Sequence, residues 1–159
     1  MANANNIIIG AASVSVGGTD IGFTQGGTIW RHESTFIDVE ADQAVGTVRK
    51  GRSLEKMFVV TNMLEVTLAN LRMAMMQPAG NLSGSTLTLG YNNSCWTDEL
   101  QIILTGPGPN CGTRTATFVR CVAMGNREYN MQRENATVLE VEFEVMKQND
   151  GTFGTIVDG

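Results

Sequence analysis

Apolar and polar residues alternate along several short stretches of this chain, which is the pattern of half-buried β-strands. The clearest alternation runs from Leu139 to Val145, where four apolar residues are interleaved with three glutamates. The same pattern, with β-favouring composition, predicts the other strands. The predicted strands cover residues 13–16, 28–39, 53–61, 85–90, 100–105, 115–124 and 136–147. Gly17-Gly18 allows a tight turn and a short returning strand after the first of them.

Residues 28–39 form either one long strand or two strands joined by a polar bend, and the polar, glycine-containing residues 40–50 separate them from residues 53–61. This arrangement predicts a long hairpin or an extended arm. The segment lacks an apolar stripe and carries charges of both signs, on Asp38, Glu40, Asp42, Arg49, Lys50 and Arg52. In an extended chain the three acidic residues project to one side.

One segment has helical spacing instead. Leu64, Leu68, Leu71 and Met75 share one face at 3.6 residues per turn, which predicts a helix whose apolar stripe lies on the sheet. Thr67 is predicted to cap the start of this helix, and Pro78 with Gly80 is predicted to end it. The prolines of the run GPGPN, residues 106–110, are expected to end a strand because proline lacks the backbone donor. The count is about eight strands and one helix.

Composition agrees with a single mainly β domain spanning residues 1–159. Eighteen glycines and three prolines suit many tight turns, and only 17% of the residues are charged, which suits a surface buried against copies of itself. The net charge of −5 argues against tight binding of nucleic acid. No membrane span or secretion signal is found, so we expect the chain in the cytoplasm of the cell that makes it.

No set of residues indicates catalysis, a cofactor or a metal. His32 is the only histidine and lies in a charged stretch, where an exposed structural position is expected. The thiols of Cys95, Cys111 and Cys121 are expected to be reduced, and Met73 and its neighbours are expected to fill the core. The most suggestive row is Glu140, Glu142 and Glu144, which project from one strand face. This row is a solvated face, a lumen or interface lining, or an acid-base group.

The order of these segments resembles the bacteriophage major tail tube proteins, which are related to the inner tube of type VI secretion systems. The similar segments are VSVGGTDIGFTQGG at residues 14–27, FIDVEADQ at 36–43, VRKGR at 48–52, LEVTLANL at 64–71, and the closing residues 139–146 and 149–154. The resemblance implies a β-sandwich or partly closed barrel with one packed α-helix. It also implies six-subunit rings that stack into a hollow cylinder through which DNA passes without specific binding.

The resemblance further implies a non-enzymatic virion protein without cofactors, assembled in the cytoplasm of a host bacterium. Its partners would be identical subunits and the tape measure, tail terminator and baseplate or tail tip proteins. Under this interpretation Glu140, Glu142 and Glu144 are candidate lumen residues, and the charged arm bridges to a neighbouring subunit or ring. Two alternatives stay open: another virion protein, such as a head decoration or tail terminator subunit, and a carbohydrate- or host-binding module using Trp30, Tyr91, Trp96 and Tyr129.

Overall fold

Ten strands and one α-helix make up the part of the chain that the computed structural model describes, residues 3–90 and 98–159. The strands are β1 Ser13–Val16, β2 Thr19–Asp20, β3 Thr24–Glu40, β4 Thr47–Met63, β5 Leu82–Ser83, β6 Thr86–Leu87, β7 Leu100–Pro107, β8 Thr113–Met124, β9 Leu139–Val145 and β10 Gly154–Asp158. The helix α1 is Leu68–Ala74, and short 3₁₀ turns occur at Ala4–Asn6, Ala79–Asn81 and Pro109–Cys111. The predicted mainly β fold with one helix is confirmed.

Eight of the strands form one antiparallel sheet in the order β2-β1-β7-β8-β9-β4-β3, with β10 paired to the first half of β8. The sheet curls strongly. Trp30 of β3 reaches Phe118 of β8, three strands away in this order, with ring centroids 6.4 Å apart. Strands β5 and β6 form a separate two-stranded hairpin. The curl gives the sheet an inner face around the core and an outer face away from it.

The core fills the inner face and is built by the alternation that the sequence displays. Leu139, Val141, Phe143 and Val145 of β9 are all buried, while the glutamates between them lie on the outer face. Because successive side chains of a strand point to opposite faces, this period of two fixes which side of β9 is inner. Residues of β1, β4, β7, β8 and α1 complete a single buried cluster.

The helix is shorter than predicted, and its buried stripe differs. Thr67 does cap it, accepting a hydrogen bond from the backbone N–H of Asn70 at 3.1 Å. This cap starts the helix at Leu68 and turns Asn70, Met73 and Ala74 into the core, whereas Leu68 is exposed. The predicted Leu64–Leu68–Leu71–Met75 stripe was therefore wrong, although Leu71 packs against the edge of the core. The helix ends before Pro78, and Met76 takes a positive φ of 52°.

Several turns and strand ends can be compared with the prediction, and the differences have local causes. The Gly17-Gly18 turn is present, with φ of 58° and 82°. Strand β7 continues through Gly106 and Pro107, contrary to the prediction, because β1 pairs with β7 only as far as Thr105 and a proline is tolerated at such a strand end. Strand β10 was not predicted as a separate element, and residues 85–90 contain only the two-residue β6.

Candidate assembly surface

The longest feature of the fold is the β3–β4 hairpin, in which each strand has 17 residues. Only the root of this hairpin belongs to the body of the protein, because β9 pairs with β4 from Met57 to Met63 and no farther. Residues 33–56, called the arm from here on, continue as a two-stranded ribbon. With a rise of about 3.3 Å per residue, the arm reaches roughly 30 Å beyond the sheet. The predicted long hairpin is confirmed, with β3 as one strand.

One edge of β3 is open along its length. Its partner edge pairs with β4 from Thr24 to Glu40, and no strand in the described residues pairs with the opposite edge. An unpaired strand edge presents a row of backbone donors and acceptors to solvent or to another chain. Long edges of this kind are the usual template for pairing between molecules.

The arm exposes apolar side chains on both of its faces. Ile37 is 57% exposed and its neighbour Phe36 51% exposed, and they point to opposite sides of the ribbon. Val39, Val48 and Leu54 are also exposed, and Val45 at the tip is entirely so. No apolar stripe was expected in this charged segment, and the structure corrects that expectation for the arm as a whole. The pair Phe36-Ile37 was the available signal, because two adjacent large apolar residues make both faces of a strand apolar.

The six predicted charged residues of the arm lie on it, and three of them form ion pairs within it. Lys50 Nζ contacts Asp38 Oδ1 at 2.7 Å across the two strands. Arg52 lies over the Phe36 ring, with its guanidinium carbon 5.6 Å from the centroid, and donates to Glu55 at 2.9 Å. Glu40 ends β3, and Asp42 and Arg49 flank the tip. The structure thus brings Asp38, Lys50 and Arg52 together on one ribbon. Their contact with a second chain stays a prediction.

The three glutamates of β9 lie together on the outer face, opposite the buried core residues of the same strand. They are opposite Asn62, Val60 and Phe58 of β4, in the order Glu140, Glu142, Glu144. Two of them have cationic partners in the same chain. Those contacts are Arg31 to Glu142 at 3.1 Å and Lys56 to Glu144 at 3.8 Å.

A further basic residue lies behind this row and reduces its negative charge. Arg127 is partly buried and donates to the backbone carbonyls of Ala74 and Glu142, both at 3.2 Å. Burial lowers the pKa of Arg127, while the nearby charges of Glu142 and Glu140 act in the opposite direction. The outer face therefore carries mixed charges, and Glu140 is the member of the row without an ion pair to any described residue.

The remaining candidates from the sequence occupy ordinary structural positions. His32 is exposed on β3 and contacts Glu55 at 2.9 Å. Met73 is buried in the core as predicted, and Cys121 is a buried free thiol while Cys111 is an exposed one. Cys95, Tyr91 and Trp96 lie outside the described residues.

In residues 3–90 and 98–159, no group of three or more His, Cys, Asp or Glu side chains is placed to hold a metal ion. No helix in the same part of the chain is long and apolar enough to cross a membrane. No protein-family model matches the sequence, and the search of curated proteins found no match. The function proposed below therefore rests on the geometry of the hairpin and not on a known relative.

Proposed function

We propose that this chain is the structural subunit of a bacteriophage tail tube, which assembles as six-membered rings stacked into a hollow cylinder. One observation carries the proposal: a 17-residue edge strand leads into an arm whose apolar side chains are left about half exposed or more by the described residues. A protein that works alone gains nothing from such a surface, which favours aggregation. A protein that polymerises with itself needs one.

Assembly would satisfy both parts of this surface. Pairing of the β3 edge with a strand of the next subunit supplies partners to open backbone groups and removes the edge. Burying the exposed halves of Phe36, Ile37 and Leu54 contributes on the order of 1 kcal/mol for each side chain. These contributions repeat at every subunit contact in a closed ring, so small gains at one contact stabilise the whole ring.

The outer face would line the channel under this proposal, because α1 covers the inner face and the sheets of six subunits would join side by side. A six-membered ring would have a net charge of about −30, six times that of one chain. On the channel wall, which would carry the three glutamates of β9, Arg31 and Lys56 are already paired with Glu142 and Glu144, so they would be less available to phosphates, and DNA would slide without sticking. A map of assembled tubes in which these glutamates point outward would contradict the lumen assignment.

The place of such a tube in a virion defines its partners. A tape measure protein would fill the channel during assembly, a terminator would cap one end, and a baseplate or tail tip would hold the other. The chain would act without a cofactor and without catalysis.

The proposal is tested by charging the apolar arm. The double substitution Ile37→Lys with Val39→Lys places two cations on one face of the ribbon, and we expect it to abolish tubes in negative-stain electron microscopy while the circular dichroism spectrum stays that of a folded chain. Leu89→Lys is the matched control, since Leu89 is exposed but lies outside the hairpin, and this variant should form tubes. Normal tubes from the double variant would contradict the proposal.

A second set of variants tests the charged residues of the arm. Replacing Arg49, Lys50 and Arg52 together by glutamate should also block tube formation while leaving a folded monomer. Isolated rings without tubes from the unmodified chain would instead favour a terminator, and the absence of any polymer would contradict self-assembly.

A further inference from the structure

A cluster of four charged or titratable side chains lies at the root of the arm, with Glu55 at its centre. Glu55 Oε1 is 2.9 Å from His32 Nε2 and 2.9 Å from an Arg52 guanidinium nitrogen, and Glu55 Oε2 is 3.2 Å from Lys147 Nζ. The Glu55 side chain is only 22% exposed, so the contacts are partly shielded from solvent. Three basic residues thus converge on one carboxylate.

The position of this cluster in the fold is specific. Strand β4 is held by β9 as far as Met57, and Glu55 comes two residues farther out, where the ribbon has lost its third strand. His32 and Arg52 belong to the hairpin, whereas Lys147 follows β9 in the body. The Glu55–Lys147 contact therefore joins the arm to the body across the point where they separate.

The register of the hairpin changes just beyond this point. The pairing shifts between Thr35 and Phe36, where Ser53 is the extra residue of β4 and its hydroxyl donates to the Thr35 carbonyl at 3.1 Å. A bulge increases the local twist and bends the ribbon. The bulge and the end of the three-stranded region together define where the arm can change direction.

The surrounding charges are already paired with one another. On the arm side the next charges on the same face are Asp38 and Lys50, which contact each other. On the body side Arg120 holds Glu99 and donates to the Lys147 carbonyl at 2.7 Å. Of the uncharged groups, Ser34 Oγ lies 3.4 Å from His32 Nε2. Glu33 and Lys56 lie on the opposite face of the ribbon, with Arg31 and Glu144 as their partners.

The protonation state of Glu55 follows from these contacts. Hydrogen bonds from His32 and then Lys147 lower the pKa of the Glu55 carboxyl, so it stays ionised in weak acid. The carboxylate therefore keeps its attraction for the Arg52 and Lys147 cations at neutral pH and in weak acid.

We propose that the Glu55 cluster is a latch that fixes the direction of the arm relative to the body. The latch is a property of the single chain and does not rest on tube formation. In a self-assembling protein the latch would present the arm to a neighbouring subunit at one angle, so a larger fraction of encounters between subunits would lead to binding.

The latch is tested by measuring the distance between spin labels on the arm and on the body. Labels at Val45→Cys and Thr19→Cys report on the tip and on the far edge of the sheet, in a background with Cys95→Ser and Cys111→Ser. The labelled chain is diluted into excess unlabelled chain, so that only distances within one molecule are measured. We expect one narrow distance distribution at neutral pH.

Glu55→Gln is the deciding variant, and we expect it to broaden the distribution. Without the carboxylate, the charge attraction that holds Arg52 and Lys147 at the root of the arm is lost. Glu33→Gln is the matched control, because Glu33 lies on the opposite face and, among the described residues, is ion-paired with Arg31 of its own strand and not with the Glu55 cluster. It should behave as the unmodified chain does.

Lys147→Met removes only the body partner and covers the case in which Glu55→Gln does not fold. It should also broaden the distribution. The proposal is overturned if Glu55→Gln or Lys147→Met leaves the distribution unchanged, or if Glu33→Gln broadens it equally. Each of these results can occur whether or not the chain forms tubes.

Discussion

The buried amide of Asn70 is expected to hold the helix to the sheet, and its removal by Asn70→Ala tests how the two are joined. Asn70 is 2% exposed. Its Nδ2 donates to the carbonyl of Ile21 at 2.9 Å and to the carbonyl of Glu65 at 2.7 Å. The substitution leaves both carbonyls without these donors in a place that water does not reach easily.

The magnitude follows from these contacts. A buried acceptor left without its partner costs about 1–3 kcal/mol, so two acceptors cost about 2–6 kcal/mol. Part of this cost is offset, because Asn70 Oδ1 is itself buried without a hydrogen-bond partner among the described residues and its removal is favourable. We therefore expect a loss of about 2–4 kcal/mol in the free energy of unfolding, which corresponds to a fall of about 5–15 °C in Tm for a chain of this length.

Urea denaturation followed by circular dichroism measures this loss, at a concentration where light scattering shows monomers. Leu68→Ala is the control on the same helix, since Leu68 is exposed and alanine is a good helix former, and it should change the free energy of unfolding by less than about 1 kcal/mol. An Asn70→Ala variant within about 0.5 kcal/mol of the unmodified chain would refute the assignment of these two hydrogen bonds as the attachment of the helix.

Two further predictions concern a thiol and an ion pair. Burial raises the pKa of the Cys121 thiol to about 12. In a Cys95→Ser background, a thiol reagent at neutral pH should therefore modify Cys111 quickly and Cys121 only after unfolding. Rapid modification of both thiols in the folded chain would contradict this prediction. The Arg114 guanidinium lowers the pKa of the Asp158 carboxyl. The ion pair therefore adds stability above the pKa that this carboxyl has in the unfolded chain, about 4. That stability is lost as the pH falls through the lower pKa of the carboxyl in the folded chain. Arg114→Met should therefore be less stable than the unmodified chain in urea at neutral pH and equally stable in strong acid, and a difference that persists in acid would show another cause.

Much of the fold could be predicted from the sequence because the period of two in a strand is visible in the order of residues. Residues Leu139 to Val145 show this best, since one side of the strand is buried and every second residue is therefore apolar. The helix was predicted less well, because the Leu64 spacing suggested a stripe while the Thr67 cap and the buried amide of Asn70 decided the rotation. A polar core residue cannot be distinguished from a surface one by its hydropathy alone.

The candidate surface could be predicted only in part. The hairpin followed from two β-rich runs with a polar segment between them, but the exposure of Phe36 and Ile37 did not, because hydrophobicity does not tell whether the same chain or another covers a side chain. The Glu55 cluster was missed for a different reason. Its contact with Lys147 joins residues far apart in the sequence, and no local pattern records such a contact.

Electron cryomicroscopy of the purified, unmodified chain at high concentration tests the central claim most directly. The account predicts closed rings or tubes in which the open edge of β3 is hydrogen-bonded to a strand of the adjacent subunit and the arm packs against a neighbour. A chain that stays monomeric at every concentration, or a polymer in which the β3 edge and the arm remain free in solvent, would contradict it.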